Sequence, residues 1–223
     1  MALAEPQSQS DGSPALAEPR RGRLYRRGFK RLLDITAILA ATPVVVPMIA
    51  VLAVLVARQG GRSFYSQIRV GKGGKPFRMW KLRSMVTDAD DRMEAYLAEN
   101  AEARAEWDST QKLKNDPRVT GIGLFLRRAS LDELPQLWNV LRGDMSLVGP
   151  RPIMQNQQTM YPGTAYYRLR PGVTGYWQTA GRNKTTFEAR AEFDAAYEVD
   201  LSLTTDLRIL VRTVGVVLKG TGC

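Results

Sequence analysis

Ile35 to Ala57 is a run of 23 residues without a charged side chain, interrupted by Pro43 and Pro47. No other feature of this 223-residue chain narrows its possible folds so sharply. A straight helix of that length is about 35 Å long, at roughly 1.5 Å per residue, and would reach across a bilayer. Two features oppose a plain crossing. Both prolines fall near the middle of the run, where an interior proline costs a helix about 3 kcal/mol and kinks it. Basic residues also flank both ends. Seven lie between Arg20 and Arg31, and Arg58, Arg62, Arg69, Lys72, Lys75, Arg78, Lys81 and Arg83 precede the next acid, Asp88. The positive-inside tendency holds each flank on the cytoplasmic side. A helix-break-helix that enters one leaflet and returns satisfies both features, provided the backbone groups freed at the break find partners. A kinked span and a buried helix of a soluble core remain open alternatives. A signal peptide is disfavoured by the length and by the lack of a small-residue cleavage site.

Composition limits the chemistry. The 32 basic and 22 acidic side chains leave a net +10, which favours an anionic partner such as nucleic acid, acidic headgroups or a phosphorylated substrate. The basic residues cluster beside the apolar run, which points to headgroups and away from nucleic acid. Histidine is absent, so Ser-His-Asp and Cys-His catalysis, imidazole metal sites and imidazole proton shuttles are excluded. The single cysteine, Cys223, allows no internal disulfide and no thiolate metal cluster. Carboxylates, basic groups, hydroxyls and an oxygen-loving cation are left.

Residues 1–19 read as a disordered tail, 20–58 as basic flank plus membrane helix, and 59–220 as one soluble domain. That domain is expected to be α+β and mainly helical. Strands over 63–67 and 77–82 around Gly71-Lys72-Gly73-Gly74 predict a β-hairpin. An amphipathic helix is expected over 88–108, then helices over 119–128 and 131–142, a proline-rich loop to 152, and helices near 186–199 and 203–219.

Three segments could carry chemistry. The densest is Ser130-Leu131-Asp132-Glu133-Leu134-Pro135-Gln136. Ser130 with Glu133 three residues later has the spacing of a capping box, a purely structural reading. The functional reading is that the positive helix end keeps Asp132 ionised and draws phosphate, and that adjacent carboxylates on one turn split roles, one attacking and the other holding a divalent cation. The second segment, Gly143 to Pro152, presents Arg151 between two prolines, a stiff mount for a phosphate-binding guanidinium. In the third, Arg168 to Asn183, glycine-rich backbone with Arg170 and Arg182 could cradle a pyrophosphate, and Tyr176 and Trp177 are better read as core. Lys81 and Arg83 suit phosphate or headgroups. Asp194, Tyr197, Asp200 and Asp206 lie at helical spacings where most acids are merely solvated.

Taken in order, Phe29 to Asp34, the proline-broken run, Gln67 to Gly71, Ser130 to Gln136, Gly143 to Pro152 and Arg170 to Asn183 resemble the bacterial sugar transferases. These are the monotopic phosphoglycosyl transferases that start exopolysaccharide and other envelope glycans. The likeness runs from about Lys30 to Gly220. It implies a re-entrant membrane helix broken at Pro47, followed by a cytoplasmic phosphoglycosyl transferase domain over 59–220. It also implies Asp132 as nucleophile, Glu133 as ligand of Mg2+, and Lys81, Arg151, Arg182 and Asp194 around the phosphates of a UDP-sugar. The reaction implied moves a hexose 1-phosphate from UDP-galactose or UDP-glucose onto undecaprenyl phosphate, releasing UMP, at the cytoplasmic face of the bacterial inner membrane. Membrane lipids are then obligatory partners, and a homo-oligomer is compatible. Relatives often carry basic residues where this chain has Gly121 and Leu124, and Ser where it has Val46. A glycosyltransferase releasing UDP and a non-enzymatic basic membrane scaffold are the rival readings.

Overall fold

The computed structural model describes residues 24–110, 113–180 and 187–218. After a π-helical turn, Tyr25–Phe29, comes helix α1, Lys30–Ala57, with both prolines inside it. The expected helix-break-helix is therefore one helix by its backbone conformation. Each proline removes a single N–H and fixes φ near the helical value, so neighbouring turns can carry the helix past it. The Thr42 hydroxyl, one residue before Pro43, donates to the Ile38 carbonyl at 2.8 Å, a back-bond of the kind that bends helices.

One stripe of α1 faces the domain. Asp34, Ile38, Leu52 and Val56 are buried, at spacings that keep them on one side of a 3.6-residue repeat. The opposite side is apolar and exposed: Leu39, Val44, Val46, Val51 and Val54 each show more than half of their surface. Only 11% of the most apolar window is buried. Such a face is stable only against lipid or another apolar surface.

Both ends of α1 are tied to the domain, and basic residues read as headgroup contacts make several of the ties. Lys30 pairs with buried Asp206 at 2.5 Å, and Arg26 with Glu198 at 2.7 Å. Arg31 donates to the carbonyls of Val140 and Leu141 at the end of a later helix. Arg83 donates to Val56 O and Gly60 O, closing the C-terminus of α1. Asp34, buried, accepts from Ser146 Oγ at 2.8 Å and Leu147 N at 3.1 Å.

The hairpin lies where the glycine turn predicts it. β1, Phe64–Val70, pairs antiparallel with β2, Pro76–Leu82, in a register that sets Arg69 opposite Phe77 and Tyr65 opposite Lys81. Helices α2, Ala89–Glu99, and α3, Ala101–Thr110, replace the single expected helix. Asn100 separates them with extended backbone, and its side chain accepts from Ala103 N, capping α3. α4, Gly121–Arg128, is capped by Thr120, whose hydroxyl accepts from Gly123 N.

The expected 131–142 helix is two pieces. A 3-10 turn covers Leu131–Glu133, and α5 begins only at Gln136 and runs to Arg142. Gly143, at φ 90°, ends it in the left-handed conformation that favours glycine. Beyond lie β3, Ser146–Val148, a 3-10 stretch, Gln155–Met160, α6, Ala165–Arg168, and β4, Gly172–Thr174. β3 and β4 form a parallel pair that the sequence did not disclose, because three residues are too few for a period-two pattern. α7, Tyr176–Ala180, α8, Ala189–Asp200, and α9, Leu203–Leu218, complete the described chain. Among the described residues the fold is mostly helical, with two two-stranded sheets and one long apolar N-terminal helix.

Candidate active site

Strand alternation builds one wall. In β2, Phe77, Met79 and Lys81 share a face, and the register puts Arg69 of β1 on it too. Phe77 and Met79 are buried in the core with Ile38 and Val140. Lys81 therefore ends a core-facing row, pointed inward by the period of the strand.

There it meets the carboxylates. Lys81 Nζ lies 2.8 Å from Glu133 Oε1 and 3.4 Å from Asp132 Oδ2. Asp132 is 6% exposed and Glu133 is half-buried. The capping box does not form. Ser130 sits at φ 56° with no side-chain cap, the only non-glycine residue with positive φ among the described residues. A left-handed serine costs on the order of 1 kcal/mol or more, and strain of this kind concentrates at functional sites. It turns the chain from α4 into the tight turn that carries both acids. Leu131 and Leu134, on either side of them, pack against the cluster of Leu52, Val56, Leu82 and Leu126, which links the pair to α1 through a shared apolar core.

Burial pushes the Asp132 carboxyl above the usual range and the Glu133 charge adds to the rise, while Lys81 and Arg127 pull it down. Arg127 is itself held below its ordinary value by burial and donates to Ser84 Oγ at 2.9 Å. Arg151 approaches from the Pro150–Pro152 loop, its Nη2 3.9 Å from Glu133 Oε1. Lys81, Glu133 and Arg151 line a small open cleft together with Arg69, Gln136 and Gly172. β3 and β4 bring its far side together: Gly149 N donates to Thr174 O at 2.8 Å, and Gly172 N to Pro150 O at 2.8 Å.

The structure thus gathers Lys81, Asp132, Glu133 and Arg151. Asp194 belongs to a neighbouring group. Buried in α8, it accepts from Tyr161 OH at 2.7 Å, and burial raises its carboxyl to about 7 against the pull of that bond and of Arg190. Arg182 lies outside the described residues. Arg170 and Arg83, read as phosphate contacts, are used elsewhere: Arg170 is exposed and donates to Gly143 O, and Arg83 closes α1. Trp177 is buried, as the core reading expects. Tyr197 and Asp206 are structural, bonded to each other at 2.6 Å, with Asp206 also accepting from Tyr25. The sequence reading missed Arg69, Arg127 and Gln136. Arg69 was hidden among basic residues read as headgroup contacts, and only the hairpin register puts it on the face of Lys81.

Among the described residues no group of three or more acidic, histidine or cysteine side chains could hold a metal. Glu133 lines the cleft and Asp132 is the carboxylate beside it, both held by Lys81. A two-carboxylate donor set fits Mg2+, which is commonly held by one or two carboxylates with the rest of its shell from substrate phosphates and water. It would not fit a cation that needs an all-protein cage.

A cation-gripped carboxylate pair, joined through a shared apolar cluster to a helix whose outer face is apolar, defines a membrane-associated domain with a cleft suited to anionic ligands. The particular family follows from comparison with known proteins. The chain belongs to the bacterial sugar transferase family, whose model matches residues 25–220. It is 46% identical over 198 residues to the UDP-galactose-lipid carrier transferase of Erwinia amylovora, covering 88% of this chain and 42% of that protein. It is 44% identical over 198 residues to the undecaprenyl-phosphate galactose phosphotransferase of Salmonella typhimurium, covering 88% and 42%. With the exopolysaccharide production protein ExoY of Rhizobium meliloti it shares 40% identity over 203 residues, covering 90% of this chain and 88% of the relative. The chain therefore spans about two fifths of the length of the first two relatives and most of the third.

Proposed function

We propose that this protein is a phosphoglycosyl transferase that moves a sugar 1-phosphate from a UDP-sugar, galactose foremost, to undecaprenyl phosphate with release of UMP, starting exopolysaccharide synthesis. The observation that carries this reading is the Lys81-gripped Asp132–Glu133 pair beside a cationic cleft, joined through Leu131 and Leu134 to the apolar cluster that holds Leu52 and Val56 of the N-terminal helix. The names of the relatives supply the donor and acceptor classes.

In this reading the Asp132 carboxylate attacks the sugar-bearing phosphorus, and the lipid phosphate later displaces the sugar phosphate from Asp132. An anion attacks an anion only where positive groups offset their repulsion, and Lys81, Arg69 and Arg151 stand at that place. Neither UMP nor the lipid phosphate needs a proton near neutral pH, which is consistent with the absence of histidine. Glu133 would hold Mg2+, which when bound neutralises phosphate charge.

The location follows the same physics. Asp34 and Val56, near opposite ends of α1, both pack on the same domain. That supports a helix held in one leaflet at the cytoplasmic face of the inner membrane over one that sends its ends to opposite sides. A soluble nucleotide-sugar and an insoluble acceptor can then meet at the headgroup plane.

The test is product analysis on purified protein with UDP-galactose and undecaprenyl phosphate. UMP is the expected nucleotide and a phosphosugar adduct is expected on Asp132. Asp132→Asn should lose both, and Glu133→Gln should weaken the response to magnesium. Release of UDP, or full turnover by Asp132→Asn, would overturn the reading.

A further inference from the structure

Beyond the cleft lining, Arg151 leads to a second guanidinium. On one side Arg151 Nη2 is 3.9 Å from Glu133 Oε1, and on the other its guanidinium carbon is 5.6 Å from the centroid of the Trp177 ring. Arg190 lies against the same indole, its guanidinium carbon 4.2 Å from that centroid and 4.8 Å from the centroid of Phe187. Two guanidiniums from separate segments thus share one buried aromatic. Neither Arg69 nor Arg190 forms an ion pair with another described residue. The Nε of each is buried without a hydrogen-bond partner, while Arg69 donates through its terminal nitrogens to Gln67 Oε1 at 2.6 Å and Pro152 O at 3.3 Å. Burial, with repulsion from Arg151, pushes both guanidiniums down to about 10. The carboxyl acting on Arg190 is Asp194, which burial raises to about 7, so near neutral pH it offsets that charge only in part. Buried N–H donors and surplus positive charge are costly when unmatched, and an anion matches both.

We propose that Arg190, backed by Trp177 and Phe187 and joined by Arg151 and Arg69, seats the phosphate of the departing nucleoside monophosphate. This rests on the phosphoglycosyl-transfer reading. A chain of contacts connects the two ends: Lys81 touches Asp132 and Glu133, Arg151 approaches Glu133, and Arg151 and Arg190 both lie against Trp177. Displacement at phosphorus sets the attacking and leaving oxygens roughly in line, on opposite sides of the reacting centre. An Asp132 oxygen bonds to the sugar-bearing phosphorus, the bond from that phosphorus to the bridging oxygen breaks, and its electron pair leaves on the nucleoside monophosphate. No proton moves. The negative charge that develops on the bridging oxygen falls toward the end held by Arg190. Two rings already fix that guanidinium, so little side-chain freedom is lost when phosphate arrives.

UMP binding to the full chain in detergent, measured by calorimetry without donor or acceptor, reads the seat apart from turnover. Arg190→Met should raise the UMP Kd by about 10- to 150-fold, the range for losing a hydrogen bond from a charged group. In the parent protein the Arg190 Nε–H resonance, assigned by its disappearance in Arg190→Lys, should shift with UMP and stay fixed with uridine. That measurement stands even if Arg190→Met folds poorly. A parental Kd in a well-folded Arg190→Met protein, or an Arg190 resonance unmoved by high UMP, overturns the seat. Transfer is scored separately. A parent that binds UMP through Arg190 yet releases none from UDP-galactose fails the functional reading alone, whereas turnover with Arg190-independent UMP binding fails the seat alone.

Discussion

Lys81→Met removes one cation and makes a demand on two measurable quantities at once. Lys81 Nζ is 3.4 Å from Asp132 Oδ2, a separation worth about 5 kcal/mol at an effective dielectric of about 20. Water reaches the pair, since the lysine side chain is 22% exposed, and Arg127 continues to act on Asp132. The net loss is therefore nearer the 1.5–3 kcal/mol typical of a charged hydrogen bond, or about 10- to 150-fold in kcat/KM near neutral pH. The pH dependence gives the sharper test. Burial already raises the Asp132 carboxyl, with Lys81 opposing, so removing Lys81 raises it further. Only the ionised carboxylate attacks, so the acid limb of the rate profile should move to higher pH and the deficit should shrink as pH rises. UMP release followed from about pH 5.5 to 9 in parent, Lys81→Met and Lys81→Arg proteins measures this. A deficit of constant size across that range would show that Lys81 only binds phosphate, and the electrostatic reasoning would be wrong.

Three further substitutions probe the frame around the site. Asp34→Ala leaves the Leu147 N–H and Ser146 hydroxyl without their buried acceptor, so denaturant unfolding in detergent should show a loss of about 1–3 kcal/mol; an unchanged midpoint would mean this tie between α1 and β3 is not stabilising. At Gly123 an added Cβ would fall inside the Ser84 carbonyl, and Gly123→Ala should cost about 2 kcal/mol or more in the same assay. Asp194 is held at about 7 in the folded protein against an ordinary 3.8: the native state keeps its proton longer than the unfolded chain, so stability falls as pH rises from about 4 to 7 and levels off beyond. Asp194→Asn lacks that penalty and should gain on the parent across this window by up to about 4 kcal/mol, and parallel stability curves from pH 5 to 8 would contradict the buried, proton-holding carboxyl.

Much of the frame was legible because it depends on near neighbours. The long uncharged run predicts α1 from composition alone, and four glycine-rich residues between two apolar stretches predict the hairpin. The adjacent acids stand out as a candidate pair. Local rules failed where several local outcomes were open. Asn100 reads as an ordinary helical residue but caps α3, and Ser130 has capping-box spacing but takes a left-handed turn. β3 and β4 are too short to carry a pattern of their own, and each is a strand because the other lies beside it.

The chain's own residues settled that an apolar helix meets a basic, histidine-free domain, and which carboxylates were candidates. Tertiary structure alone decided which cations serve the site. Arg83, Arg170 and Arg31 went to carbonyls that needed closing, while Lys81 and Arg151 went to the carboxylate pair and Arg69 to the wall of the same cleft. Identical side chains are interchangeable to any local pattern. Lys81 and Asp132 are 51 residues apart, and Lys30 and Asp206 are 176 apart, so only the packed chain, by choosing who is desolvated next to whom, tells them apart.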